Sequence, residues 1–208
     1  MAIQVFFIAF AISLLGSIPP GTINITAMKM GILGQTRPAY FLILGATIVE
    51  FFYAFLVLKF QQFINRNIEL ASHFTLVTGL VLCILGIYSL RSHSTSETVK
   101  LQGVERRSNG FVKGVALGFL NPLAIPFWLT VTVYLETNGW IQAEGVSFWT
   151  YLIGIFFGSI VTLVLAIRLG NRFTAISDNQ LLVHVLPGVV FLSLGGYNLY
   201  QWIFSLGH

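Results

Sequence analysis

Charge is scarce in this sequence. Asp, Glu, Lys and Arg make up 9% of the 208 residues, against 56% hydrophobic residues. An ordinary soluble domain carries about 25% charged residues. With a mean hydropathy of +0.84, the composition excludes a soluble domain and places the chain in a membrane. Cysteine is nearly missing. Cys83 stands alone, so there is no intramolecular disulfide and no thiol pair, which excludes the membrane dithiol carriers. The four histidines, His73, His93, His184 and His208, are dispersed, and neither a His-Glu-x-x-His motif nor an acidic cluster with ligand spacing occurs. No resident metal and no cofactor are expected. A Gly-x-Ser-x-Gly elbow and a His-based pair inside an apolar run are also lacking, so the chain does not read as an enzyme.

What is present is a series of apolar runs. Bounded by polar or charged clusters, they fall at about 2–28, 39–59, 74–90, 111–135, 148–167 and 181–204. Most reach the ~20 residues that a ~30 Å hydrocarbon core needs at ~1.5 Å per residue. The first has no basic residue before Lys29 and no small-residue cleavage site at its end, so it reads as a retained helix and not a signal peptide. The expected fold is all-α and integral to the membrane, with six transmembrane helices.

The basic residues are unevenly shared between the connecting segments. One set holds Lys29, Arg37, Arg91, Lys100, Arg106, Arg107, Lys113, Arg168 and Arg172; the opposite set holds Lys59 and Arg66. By the positive-inside rule both termini lie outside and the Ser/Thr-rich, charged connector 92–109 lies in the cytoplasm. Trp140, Trp149 and Trp202 then fall at outer helix ends, as an aromatic belt requires. The formal charge of +4 is therefore a statement about topology, and no nucleic-acid partner is implied.

Two apolar runs are interrupted. Gly16-Ser-Ile-Pro-Pro-Gly-Thr-Ile-Asn24 breaks the first, and Asn121-Pro122, with Pro126 after it, breaks the fourth. Backbone groups freed from a helix in hydrocarbon cost several kcal/mol unless protein, water or ligand satisfies them, so breaks survive where they line a cavity or are buried. Pro20 precedes Lys29 by nine residues, and Pro122 follows Lys113 by nine. Both therefore sit about 13 Å from the inner boundary, near the midplane. Pro20-Gly21 and Pro122 can each open a half-helix, whose free N-H groups and positive dipole end suit a carboxylate. Thr22, Asn24 and Asn121 add side-chain donors there. The competing reading is a pair of packed helix kinks.

The chain also repeats itself. Gly79, Gly86 and Tyr88 of the third run align without gaps on Gly188, Gly195 and Tyr197 of the sixth. A repeat of three helices enters the membrane from the opposite side on its second pass, so the two copies are inverted. The division is 1–91, first repeat; 92–109, linker; 110–208, second repeat. Such repeats form secondary transporters with a site near the midplane. The paired glycines allow close helix contact within a subunit or between two, so monomer and homodimer both stay open.

Glu50 is the one acidic residue well inside a run, thirteen residues from Arg37 and nine from Lys59. An ionisable group at that depth costs about 2.5–3.5 kcal/mol on insertion scales and ordinarily faces a cavity or a partner. It suits a proton carrier or a clamp for an ammonium group; the bland alternative is a structural hydrogen bond. Tyr53, at i+3, shares its face. Tyr88 and Tyr197 are candidate cavity walls, with a bond to a neighbouring backbone as the plainer reading. Phe127 and Trp128 read as packing, with enclosure of a substrate as the lesser option.

With those residues in place the chain resembles the LysE-type translocator superfamily, the small six-helix exporters of amino acids and related solutes. The resemblance rests on Gly16-x-x-Pro-Pro-Gly21, the Gly45 to Glu50 run, Asn121-Pro122-x-Ala124 and the Gly-x-Tyr ends of the third and sixth runs. Against the family's Gly-x-x-x-Pro-Gly-Pro, Thr22 stands where the second proline is expected. Glu50 stands where the family usually has Asp, and Leu123 replaces the lysine of Asn-Pro-Lys. The resemblance implies multi-pass residence in a bacterial inner membrane and proton-driven export of amino acids or similar zwitterions. The substrate would be held by Pro20, Gly21, Thr22, Asn24, Glu50, Tyr53, Tyr88, Asn121, Pro122, Ala124 and Tyr197, with Glu50 coupling protons. A cation or metal-ion exporter and a non-transporting membrane partner protein are the alternatives.

Overall fold

Apolar stretches become helices here, which stop ahead of Pro19-Pro20 and of Pro122, while Pro38, Pro126 and Pro187 each lie in the first turn of a helix, where a proline is tolerated. The computed structural model describes residues 2–17, 21–64, 68–91, 109–121, 124–142, 144–168 and 185–205. Among these residues the protein is all-helical: α1 (Ala2–Gly16), α2 (Thr22–Ile32), α3 (Thr36–Ile64), α4 (Ile68–Arg91), α5 (Gly110–Phe119), α6 (Ala124–Thr137), α7 (Gly145–Arg168) and α8 (Leu186–Ser205).

The first and fourth apolar runs are each two helices, α1 with α2 and α5 with α6. The second pair is bent by 65°. The helices after the breaks start slightly later than the prolines suggest: Gly21 is the N-cap of α2, and α6 opens at Ala124. Ile18, Pro19, Pro20, Pro122 and Leu123 lie outside the described residues. So do the linker residues 92–108 and the stretch 169–184, which contains the expected start of the sixth run. Among the described helices, 36–63 and 145–168 are long and apolar enough to cross a membrane alone, and the bent pair counts as a third span.

The polar stretch 61–72 is helical in its described residues, 61–64 and 68–72, because α3 continues to Ile64 and α4 starts at Ile68. It contains neither Gly nor Pro to stop a helix. Gln61 is also buried, with its amide donating to Glu136 of α6, which holds that end of α3 against the bundle. Elsewhere the stops are conventional. Gly34 adopts φ +70° after α2, and the backbone N-H of Gln35 reaches back to the Met30 carbonyl at 2.8 Å. Gly139 does the same after α6, with Trp140 N-H on the Leu135 carbonyl at 2.8 Å. Only a residue without Cβ takes this left-handed turn freely.

Packing crosses between the chain's two halves. α1 lies along α7, and α5 lies along α3. The contact is backbone-close: a Cβ on Gly154 would come 2.6 Å from the Phe6 carbonyl, and one on Gly114 would come 2.0 Å from the Leu42 carbonyl. Between helices in lipid, van der Waals contact of this kind replaces the hydrophobic drive that assembles soluble cores. α4 and α8 form a third close pair. There a Cβ on Gly86 would meet the Gly188 carbonyl at 3.0 Å, and one on Gly195 the Gly79 carbonyl at 2.9 Å. The aligned glycines thus contact one another inside a single chain.

Two apolar clusters divide the bundle. One joins Val5 and Ala9 of α1, Ala54 to Leu58 of α3, Trp128 to Leu135 of α6 and Phe148 to Ile155 of α7. The other joins Ala27 and Met30 of α2, Ala39 to Ile43 of α3, Leu117 of α5 and Leu163 and Ile167 of α7. The early part of α3 therefore meets the late part of α7, so the two run antiparallel. Between the clusters, where α3 and α7 cross, stand Glu50 and Ser159.

Gly114→Ala is expected to lower the stability of the protein by about 1–3 kcal/mol, because the added methyl must push two backbones apart. Gly196, whose Cβ would meet nothing within 4 Å, is the control, and Gly196→Ala should leave the thermal midpoint of the detergent-solubilised protein unchanged or raised.

Candidate functional site

The crossing of α3 and α7 brings four helices to one carboxyl group. Glu50 is half-buried on α3. Its Oε1 accepts from the indole N-H of Trp128 on α6 at 3.2 Å, and its Oε2 lies 2.6 Å from Ser159 Oγ on α7. Ser159 Oγ is in turn 2.9 Å from Ser13 Oγ on α1, and Ser13 Oγ donates to the Ile155 carbonyl at 2.8 Å. Trp128, Ser159 and Ser13 are all buried. A carboxyl group in so apolar a setting needs such partners, since leaving it unpaired costs far more than the bonds gain.

The two breaks converge on this cluster. Ser13 lies in the last turn of α1, just before the first break, and Trp128 lies in the early part of α6, just after the second. Gly16 faces the Phe127 ring so closely that a Cβ there would come within 2.6 Å of Cζ. Across the first break Asn24 is buried, and its amide donates to the Ser17 carbonyl at 2.6 Å, tying the start of α2 to the end of α1. Gly21, the N-cap of α2, is exposed and supplies no side-chain cap. Thr22 is exposed as well, and its carbonyl accepts from Thr26 Oγ1 at 2.6 Å.

At the second break Asn121 is half-buried, with its backbone N-H on the Gly118 carbonyl at 3.1 Å, and Ala124 is buried at the start of α6. Tyr53 does not bond Glu50. Its hydroxyl donates to the Phe119 carbonyl at 3.2 Å, and its ring stands edge-on to Phe119, so it braces the last residue of α5. Tyr197 is further off: it accepts from the Gln201 amide at 2.8 Å, and its ring packs on Tyr134 of α6. Tyr88 is 71% exposed on α4 and is not brought to the cluster. Pro20 and Pro122 lie outside the described residues. Among the described residues no group of three or more His, Cys, Asp or Glu side chains is placed to hold a metal ion.

Ser13 and Ser159 are the residues that sequence reasoning missed, and Trp128 does more than pack. A signal for Ser159 does exist. The 109-residue offset separating Glu50 from Ser159 is the one that aligns Gly79 with Gly188 and Gly86 with Gly195, and it also aligns Gly45 with Gly154. Ser159 thus holds the position in the second half that Glu50 holds in the first. Ser13 carries no comparable mark, because a serine in an apolar helix ordinarily bonds its own preceding turn.

An all-helical membrane protein with two interrupted helices meeting at one partnered carboxyl group belongs to the class of small membrane translocators. The family model described as LysE type translocator matches residues 5–201, and the chain belongs to that family. No curated protein and no solved structure matches it.

Asn24→Ala removes the bond that closes the first break and is expected to cost about 0.5–1.5 kcal/mol. Asn24→Asp should cost more, since it sets a carboxylate against the Ser17 carbonyl. Thermal unfolding in one detergent, compared across the three proteins, measures the order.

Proposed function

We propose that this translocator is a secondary exporter that carries amino acids or similar small zwitterions out of the cytoplasm across a bacterial inner membrane, driven by protons. The observation that carries the reading is the Glu50 carboxyl group, held by Trp128 and Ser159 from the other half of the chain where the two helix breaks converge. A single carboxyl group shared between halves has the chemistry to take either a proton or a substrate ammonium, and its partners change when the halves move. The substrate carboxylate would rest at the start of α2, where Gly21 leaves the first N-H groups without a side-chain cap, and at the start of α6. Asn24, Asn121 and Tyr53 would shape the two breaks.

Alternating access follows from an inverted repeat of 1–91 and 110–208. What supports the repeat is the constant 109-residue offset together with the exchanged pairings, α1 on α7 and α5 on α3. The basic segments place the termini outside, by the positive-inside rule. The two copies would rock about Glu50 and Ser159, exposing the site to one side and then the other. The partners are the zwitterion, protons and the bilayer. Because Gly79, Gly86, Gly188 and Gly195 pack within the chain, the working unit we propose is a single chain.

Efflux from proteoliposomes preloaded with labelled amino acids, with and without an imposed pH gradient, tests this. The wild type should release one or a few amino acids faster with the gradient, and Glu50→Gln should lose that gain. Losing a bond to a charged group worth about 1.5–3 kcal/mol corresponds to a ten- to hundredfold slower step. If no amino acid moves through folded protein, the substrate class is wrong, and metal ions are the next panel.

A further inference from the structure

The contacts around Glu50 form a line that can be solved for its hydrogens. At one end the Ile155 carbonyl can only accept, and Ser13 Oγ lies 2.8 Å from it. A hydroxyl has one proton to donate, so Ser13 spends its proton there. The 2.9 Å contact between Ser13 Oγ and Ser159 Oγ must then use the proton of Ser159. That leaves Ser159 Oγ as acceptor in its 2.6 Å contact with Glu50 Oε2, and the proton there must be carried by Glu50. Oε1 completes the count as the carbonyl oxygen that accepts from Trp128 Nε1. Every contact is a hydrogen bond only if Glu50 is neutral.

We propose that Ser159 and Ser13 form a latch that reports the protonation of Glu50 to the broken helix α1. When Glu50 loses its proton to water, Ser159 turns its O-H onto the carboxylate. Ser13 then has one proton for two acceptors, Ser159 Oγ and the Ile155 carbonyl, and one of the bonds holding the end of α1 to α7 is lost. That end is the lip of the first break, where Gly16 meets Phe127. Loss of the proton therefore loosens α1 at the place where the two halves must part, and protonation closes it again. Ser13 and Ser159 are positioning residues: they act through Glu50 and touch no substrate.

No other charge intervenes among the described residues. The groups bonded to Glu50 are Trp128 from α6 and Ser159 from α7, with Ser13 from α1 behind Ser159. The charged side chains of the packed helices, Lys29, Arg37, Lys59, Lys113, Glu136 and Arg168, stand toward helix ends. The tyrosines nearest in sequence or packing are engaged elsewhere, Tyr53 on Phe119 and Tyr151 with Thr132 at 3.0 Å. Position explains why one proton suffices: the equivalent of Glu50 in the second half is a hydroxyl and not a second acid.

The geometry of the latch stands without the exporter reading, although its use in transport rests on it, so the test uses no substrate. Difference infrared spectra of the purified protein in lipid nanodiscs, taken against Glu50→Gln, isolate the carboxyl group from the others. Near neutral pH the wild type should show a protonated carboxyl C=O band that Glu50→Gln lacks. Ser159→Ala should shift that band to higher frequency, as should Ser159→Cys, which keeps the volume. Ser13→Ala should shift it less. Hydrogen exchange of α1, corrected for the intrinsic pH effect, should rise as the band disappears in alkaline buffer. It should stay flat in Glu50→Gln, whose amide N-H can donate to Ser159 and keep the latch closed. A carboxylate signal alone at neutral pH, a band unmoved by either Ser159 substitution, or α1 exchange indifferent to the band overturns the proposal. Absence of amino-acid efflux with these signals present would overturn the exporter reading and leave the latch standing.

Discussion

The contact between Glu50 and Ser159 is the constraint on which the rest depends. Two long antiparallel helices, α3 and α7, cross between two apolar clusters, and at the crossing one presents a carboxyl group and the other a hydroxyl. An acidic group cannot lie in that position without partners. Trp128 donates to the same carboxyl group and Ser13 bonds Ser159 behind it, and both belong to helices that end or begin at a break. The cost of placing one acid in an apolar protein is therefore met by groups drawn from both halves, which ties the breaks to the acid.

Close backbone packing makes the arrangement possible. Gly154 and Gly158 let α1 approach α7 until a Cβ would collide with the Phe6 and Phe10 carbonyls. That approach brings Ser13 within reach of Ser159. On the other side Gly110 and Gly114 admit the Pro38 and Leu42 carbonyls of α3. Each half thus contributes its first helix to the second helix of the other half. An exchange of this kind binds the halves more firmly than side-by-side docking.

Membership in the LysE type translocator family was legible in the sequence because the motifs are local: two proline breaks, an isolated acid and repeated glycines keep their order whatever the packing. The helical membrane character was legible from hydropathy alone. The ends of α3 and α4 were not, since a polar stretch without Gly or Pro can be loop or helix, and burial of Gln61 against Glu136 settled the matter. Tyr53 shows the same limit. Its i+3 spacing put it on the face of Glu50, but its hydroxyl donates to the Phe119 carbonyl.

The sequence by itself determined which ionisable group lies inside the apolar bundle and where its helices break, because both follow from residue type and the cost of burying polar atoms. It could not determine which groups answer Glu50. Ser13, Trp128 and Ser159 lie on three different helices, and a hydroxyl or indole in an apolar run has the same appearance whether it meets a carboxyl group or its own backbone. Only the crossing of α3 with α7, and the glycine-permitted approach of α1, brought Trp128 and Ser159 within 3.2 Å of the Glu50 carboxyl oxygens and Ser13 within 2.9 Å of Ser159. That proximity is a property of packing, which no single helix contains.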